Sequence, residues 1–149
     1  MNRIIKFRGR SLSDTDKWHY GNLIKWENGD CMIWCEKNGV ILKFAVDTQT
    51  IGQFTGLYDK NGKEIYEGDI FGIETDDKRV LNKFYRIVSY CLDGFYLACK
   101  DNYGDKLHLM LGLSANPNWT SLARCLRDKG FDYCIIGNIH DNPELLKTE

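Results

Sequence analysis

The amino-acid sequence predicts a mainly β chain with one minor helix, and three observations carry that reading. Asn-Gly recurs at 28–29, 38–39 and 61–62 between apolar runs, a strong hairpin signal because both residues tolerate positive φ. β-branched and aromatic residues crowd short segments at regular spacing, as strands require. Helical periodicity stands out in one place, residues 119–129.

Taken in order, residues 3–8 form a first strand, and the Ser, Asp and Thr of 9–17 form a polar turn. An aromatic strand follows over 17–26, with a bulge or bend expected at Gly21. Asn28-Gly29 reverses the chain through a type I′ turn into a strand over 31–35. A further turn at Lys37-Asn38-Gly39 leads to a strand over 40–46, so the first third is a meander. The run from Thr50 to Ile70 holds Gly52, Gly56, Gly62 and Gly68 and reads as two turns and then a strand, with Glu67-Gly68-Asp69 as the tight entry into 70–73.

Residues 75–79 read as a charged loop, 84–91 and 95–99 as a strand pair joined at Asp93-Gly94. In the helix over 119–129, Trp119, Leu122, Ala123 and Leu126 share the apolar face, Asn118 caps the start and Gly130 stops it. Arg124, Arg127, Asp128 and Lys129 form its solvated side. A strand over 131–139 and a turn begun by Pro143 close the chain.

A chain of 149 residues suits one domain over 1–149. Within it we expect an N-terminal β meander over 1–58, packed on a small barrel over 59–146 with a helical insertion near 101–130. The apolar content of 43% excludes whole-chain disorder, and a net charge of −1 excludes a global pull toward phosphate or acidic membranes. The first nine residues never build the apolar core of an export signal, and no apolar run is long enough to span a bilayer, so a cytoplasmic location without membrane contact is expected. The six cysteines sit in apolar segments and read as reduced, buried thiols.

The candidate sites are sparse. Glu64, Glu67 and Asp69 resemble a carboxylate cluster, but strand parity puts Glu64 opposite the other two, and Asp69 suits a turn amide. Cys31 and Cys35 share a strand face roughly 13 Å apart, too far for one metal, and His19, His108 and His140 are scattered. A Cys91–His108 nucleophile pair has no residue pattern to assemble it. The four glycines lack the phosphate-loop Gly-Lys-Ser/Thr ending. No catalytic residue, metal or cofactor is therefore expected.

Two binding surfaces remain. Arg3, Lys6, Phe7, Arg8, Arg10 and Trp18 mix cations with aromatics as nucleic-acid binders do. Tyr20, Trp26, Trp34, Tyr58 and Tyr66 could instead serve a protein interface or fill the core. The turns of the glycine-rich run are expected to expose Gln53, Tyr58, Lys60 and Asn61 as an interaction surface.

Three segments carry a resemblance: Phe7-Arg8-Gly9 with 18–24, the block over 52–70, and 136–146. Together they resemble the YopX family of phage and prophage proteins, across nearly the whole chain apart from 75–127. The resemblance implies a mostly β protein with a small SH3-like β-barrel, a phage or prophage gene expressed in a bacterial host, and no assigned catalytic activity. The resulting expectation is a non-enzymatic accessory protein, a homo-oligomer or a partner of a host or phage protein, with a nucleic-acid-binding small barrel as the alternative.

Overall fold

Hairpin chemistry organises the first unit. In the computed structural model, which describes residues 3–73, 85–91, 94–99, 119–127 and 133–147, the chain divides into two compact units, Met1–Gly56 and Leu57–Glu149. The first holds β1 (Phe7–Arg10), β2 (Trp18–Lys25), β3 (Cys31–Lys37), β4 (Val40–Val46) and most of β5 (Gly52–Tyr58). All pairings are antiparallel, in the order β4-β3-β2-β1-β5. Beyond β1 and β4 the chain meets itself: Ser11 bridges Val46, the Leu12 amide donates to Ala45 O at 3.1 Å, and the Asp47 amide to Arg10 O at 2.9 Å. The meander thus curls until its first and fourth strands touch at one end. Cys31, Ile33 and Val46 form its core, with Phe7, Leu23 and Ile51 packed against them.

Three expectations for this unit are corrected. The first strand spans 7–10 rather than 3–8, and Gly9 belongs to it rather than to the polar turn. β2 runs unbroken through Gly21, which is there for close approach: a Cβ would collide with the Trp34 carbonyl oxygen on β3. Residues 52–58 form a strand, not a turn, because β1 offers a free edge; Gln53 pairs with Phe7, and the Phe54 amide donates to Lys6 O at 2.8 Å.

The Asn-Gly dipeptides build two different turns. At Asn38-Gly39 both residues have positive φ, 55° and 76°, and Lys37 pairs with Val40, the two-residue type I′ arrangement. At Asn28-Gly29 the glycine alone is positive, at 95°. The Gly29 amide donates to Trp26 O, and the Trp26 amide to Asp30 O, both at 3.0 Å, the pattern of a three-residue loop ending in a glycine bulge. The expected type I′ turn therefore occurs at 38–39 and not at 28–29. The 59–63 turn repeats the second pattern, with Gly62 to Asp59 O at 3.0 Å and Asp59 to Lys63 O at 2.9 Å.

In the second unit the chain returns as β6 (Glu64–Tyr66), turns at Glu67-Gly68, and runs into β7 (Asp69–Ile73), β8 (Arg86–Cys91) and β9 (Gly94–Cys99). There follow β10 (Trp119–Ser121), α1 (Leu122–Arg127) and β11 (Tyr133–Asn138). The antiparallel order β10-β9-β8-β7-β11 brings the last strand beside the first of this sheet, an arrangement compatible with a small barrel.

Alternation along β7 and β8 feeds two cores. Phe71 and Val88 join Ile65, Leu97, Leu122 and Tyr133 on one side. Ile70 and Ile87 join Tyr85 on the other, under Ile136, Ile139, Leu145 and Leu146.

The expected helix is shorter at its start. Residues 119–121 pair with 96–98 of β9, whose edge takes them as a strand, and only 122–127 are helical among the described residues. Leu122 is fully buried and Leu126 packs on the same core, while Ala123, placed on the apolar face by periodicity, is exposed with Arg124 and Arg127. The expectations for 75–79, Asp93, 101–118 and 128–130 lie outside the described residues. The fold class is mainly β, with two antiparallel sheets and one minor helix.

Candidate functional site

Two acidic side chains of the glycine-rich run, Glu64 and Asp69, accept hydrogen bonds from Tyr66. Asp69, 1% exposed, accepts the Tyr66 amide through Oδ2 at 2.8 Å, the turn role expected of it. Glu64 Oε2 accepts the Tyr66 hydroxyl at 2.7 Å. Because the chain turns at Glu67-Gly68, a single strand parity does not run from Glu64 to Asp69, correcting that part of the reading. Among the described residues no group of three or more His, Cys, Asp or Glu could hold a metal.

The candidate interaction residues separate. Tyr58, 49% exposed, lies at the end of β5, and Lys60 and Asn61 are exposed in the following turn. Gln53 is half-buried opposite Phe7 in the first unit, not on a turn, because 52–58 is a strand. Tyr66 is core, 2% exposed, and leaves the list of surface aromatics; Tyr20 and Trp26 are exposed and Trp34 is half-buried. Cys31 and Cys134 are buried free thiols, and Cys35 is a half-buried one.

The basic and aromatic residues of the N-terminus do assemble. Arg8 pairs with Tyr20 and Arg10 with Trp18 across β1 and β2, so strand alternation puts all four on one face. The Arg8 and Arg10 guanidiniums lie 5.0 and 5.6 Å from the Trp18 ring centre, and Lys6 lies 5.9 Å from that of Tyr20. Lys43 sits 4.2 Å over Trp34 on the paired strands β4 and β3. Arg8 is only 5% exposed. On the opposite face of β2, His19 stacks on Phe44 at 3.6 Å and 5°. Burial first, then the Lys17 charge, hold its imidazole below the ordinary range. Lys17 itself donates to Asp14 at 2.7 Å on the surface, which lowers the Asp14 carboxyl and raises the Lys17 amine.

A concave site lies elsewhere in the first unit. A cleft of about 600 Å³ is walled by Trp26, Asn28 and Asp30 of the β2–β3 turn, by Leu12, and by Asp47 and Thr48 after β4. The lining also includes the paired residues Cys31 and Val46, both buried, and the next pair, Met32 and Ala45. Asn28 Oδ1 accepts the Asp30 amide at 3.0 Å while its Nδ2 donates to Asp30 Oδ2 at 2.7 Å. Asp47 caps the 3-10 turn Thr48–Thr50 by accepting the Gln49 amide through Oδ1 at 3.0 Å. The sequence reading named Trp26 but not this cleft; the one local signal is an Asp after each of two turns or strands, which also reads as ordinary capping.

Comparison places the chain in a known group. The family model described as YopX protein matches residues 6–147. The chain belongs to the YopX family. Of the segments that carried the resemblance, 7–9 and 18–24 pair as β1 and β2, and the other two hold turns. In 136–146 of this YopX chain, Asn138 Oδ1 accepts the His140 and Asp141 amides, each at 2.9 Å, and its Nδ2 donates to Asp141 Oδ2 at 2.8 Å. Gly68, from the central YopX block, accepts the Ile139 amide at 2.9 Å. A solved structure, that of protein EF1440 from Enterococcus faecalis, matches at TM-score 0.53 and 24% identity, over 98% of this chain and 100% of that one. At that identity the likeness speaks for the YopX chain's fold alone. Comparison with curated proteins finds no match.

Proposed function

We propose that this YopX-family chain is a non-enzymatic accessory protein of phage or prophage origin that works in the bacterial cytoplasm by binding another protein, its second unit forming a small SH3-like barrel. The cleft of the first unit carries this reading. Trp26 and Leu12 stand 43% and 63% exposed in the lining of a concavity, an arrangement suited to anchoring a partner side chain. The engagement of Asp59 and Asp69 with backbone amides supports a turn-building rather than a catalytic role for these carboxylates.

Nucleic-acid binding is the weaker reading. Arg8 is buried, and Trp18 and Tyr20 each present a ring face to the chain's own cations, which leaves less aromatic surface for bases. Affinity capture from nuclease-treated host lysate tests the choice. The wild-type chain is expected to retain a specific protein and the Trp26→Ala, Leu12→Ser variant to lose it. Retention of nucleic acid alone, with affinity falling steeply in salt, would overturn the proposal.

A further inference from the structure

The chemistry of the cleft specifies its occupant more narrowly than protein binding does. Among the described residues two carboxylates, Asp30 and Asp47, line it, and no Lys or Arg does. Neither carboxylate is paired with a cation among the described residues. Asp30 takes the Asn28 amide group on Oδ2, and Asp47 takes the Gln49 N–H on Oδ1, so Asp30 Oδ1 and Asp47 Oδ2 remain as acceptors. The other lining side chains include Leu12, Trp26, Met32 and Ala45, which offer an apolar wall and, in the indole, a face for a cation. A volume of about 600 Å³ exceeds one amine or guanidinium and suits a few side chains of an extended chain.

We propose that this cleft docks an extended segment of another protein carrying a lysine or arginine beside a large apolar side chain. The cation faces Asp30 and Asp47 while the apolar group lies on Trp26 and Leu12. The same carboxylates repel the phosphates of a nucleic acid. The inference rests on the protein-binding reading above and deepens it.

The test is a titration of the full chain, followed by NMR at the Trp26 indole N–H, which the Trp26→Phe variant assigns. The probes are acetyl-Leu-Arg-Leu-Lys-amide, its Gln-substituted and Glu-substituted counterparts, and acetyl-arginine-amide. The cationic tetrapeptide is expected to shift the Trp26 signal saturably and to bind about tenfold more weakly to the Asp30→Asn, Asp47→Asn variant or in high salt. Asn keeps an acceptor oxygen for each local hydrogen bond, and an unchanged melting temperature verifies that the variant folds. The Gln and Glu peptides are expected to leave Trp26 unmoved, and acetyl-arginine-amide to bind more weakly than the tetrapeptide. No shift at millimolar peptide, equal binding of all three tetrapeptides, indifference to the double substitution, or equal binding of acetyl-arginine-amide would each overturn the assignment. Lysate capture is read separately: a partner retained equally by wild type and the double variant removes the cleft assignment but leaves protein binding standing.

Discussion

The carboxylate of Asp59 joins two segments 76 positions apart: its Oδ2 accepts the Ile135 amide at 3.2 Å. Its Oδ1 accepts the Asn61 and Lys63 amides, each at 2.9 Å, so one buried side chain both shapes the 59–63 turn and ties it to β11. Removing it strands three amides. Asp59→Ala is expected to cost about 3 kcal/mol, and Asp59→Asn, which keeps one acceptor oxygen, clearly less. Urea unfolding of both variants checks this; equal stability for Ala and wild type would refute the tie.

Gly137 and Asn142 are coupled by space. A Cβ at 137 would collide with Asn142 Oδ1, the atom that accepts the Asn138 amide at 3.3 Å. Gly137→Ala is expected to destabilise by about 2 kcal/mol. In a double-mutant cycle with Asn142→Ala, part of that cost should disappear, giving a coupling of about 1 kcal/mol. Gly21→Ala is the contrast, because its collision is with the backbone of Trp34 and no side-chain truncation on β3 relieves it.

The two turn geometries separate two asparagines. Asn38 holds φ at 55°, where an ordinary side chain is strained, whereas Asn61 is not a positive-φ residue. Asn38→Ala should therefore cost about 1 kcal/mol and Asn61→Ala less than about 0.5 kcal/mol. Thermal melts of the two variants side by side measure the difference, and an equal cost would reject the assignment of turn types.

His19 gives the first unit a pH dependence of definite sign. Burial and the Lys17 charge hold its folded-state value below the ordinary 6.5. As pH falls below about 6.5 the unfolded chain takes up this proton before the folded one, so the stability associated with neutral His19 is full above that pH and declines below it. The melting temperature of wild type should drop more between pH 7.5 and pH 5.5 than that of His19→Gln. Parallel curves would show that the imidazole does not contribute.

Local chemistry reaches a certain distance along this chain and stops. Asn-Gly pairs, strand alternation and Glu67-Gly68-Asp69 made the meander, the hairpins and the Asp69–Tyr66 turn legible, because each is written in residues at most a few positions apart. The buried face of α1, Leu122 with Leu126, followed from helical period for the same reason. Other assignments depended on distant edges. Residues 52–58 and 119–121 carry turn and helix signals, yet β1 and β9 have backbone groups to satisfy, and pairing outweighed local propensity. Gly21 reads from sequence as a bend, and only the neighbouring strand shows that it makes room for Trp34 O. The cleft is the extreme case. Its walls come from residues 12, 26–32 and 45–48, so its concavity exists only once the curled meander brings those segments together, and the two carboxylates that define its charge look like ordinary turn residues until then.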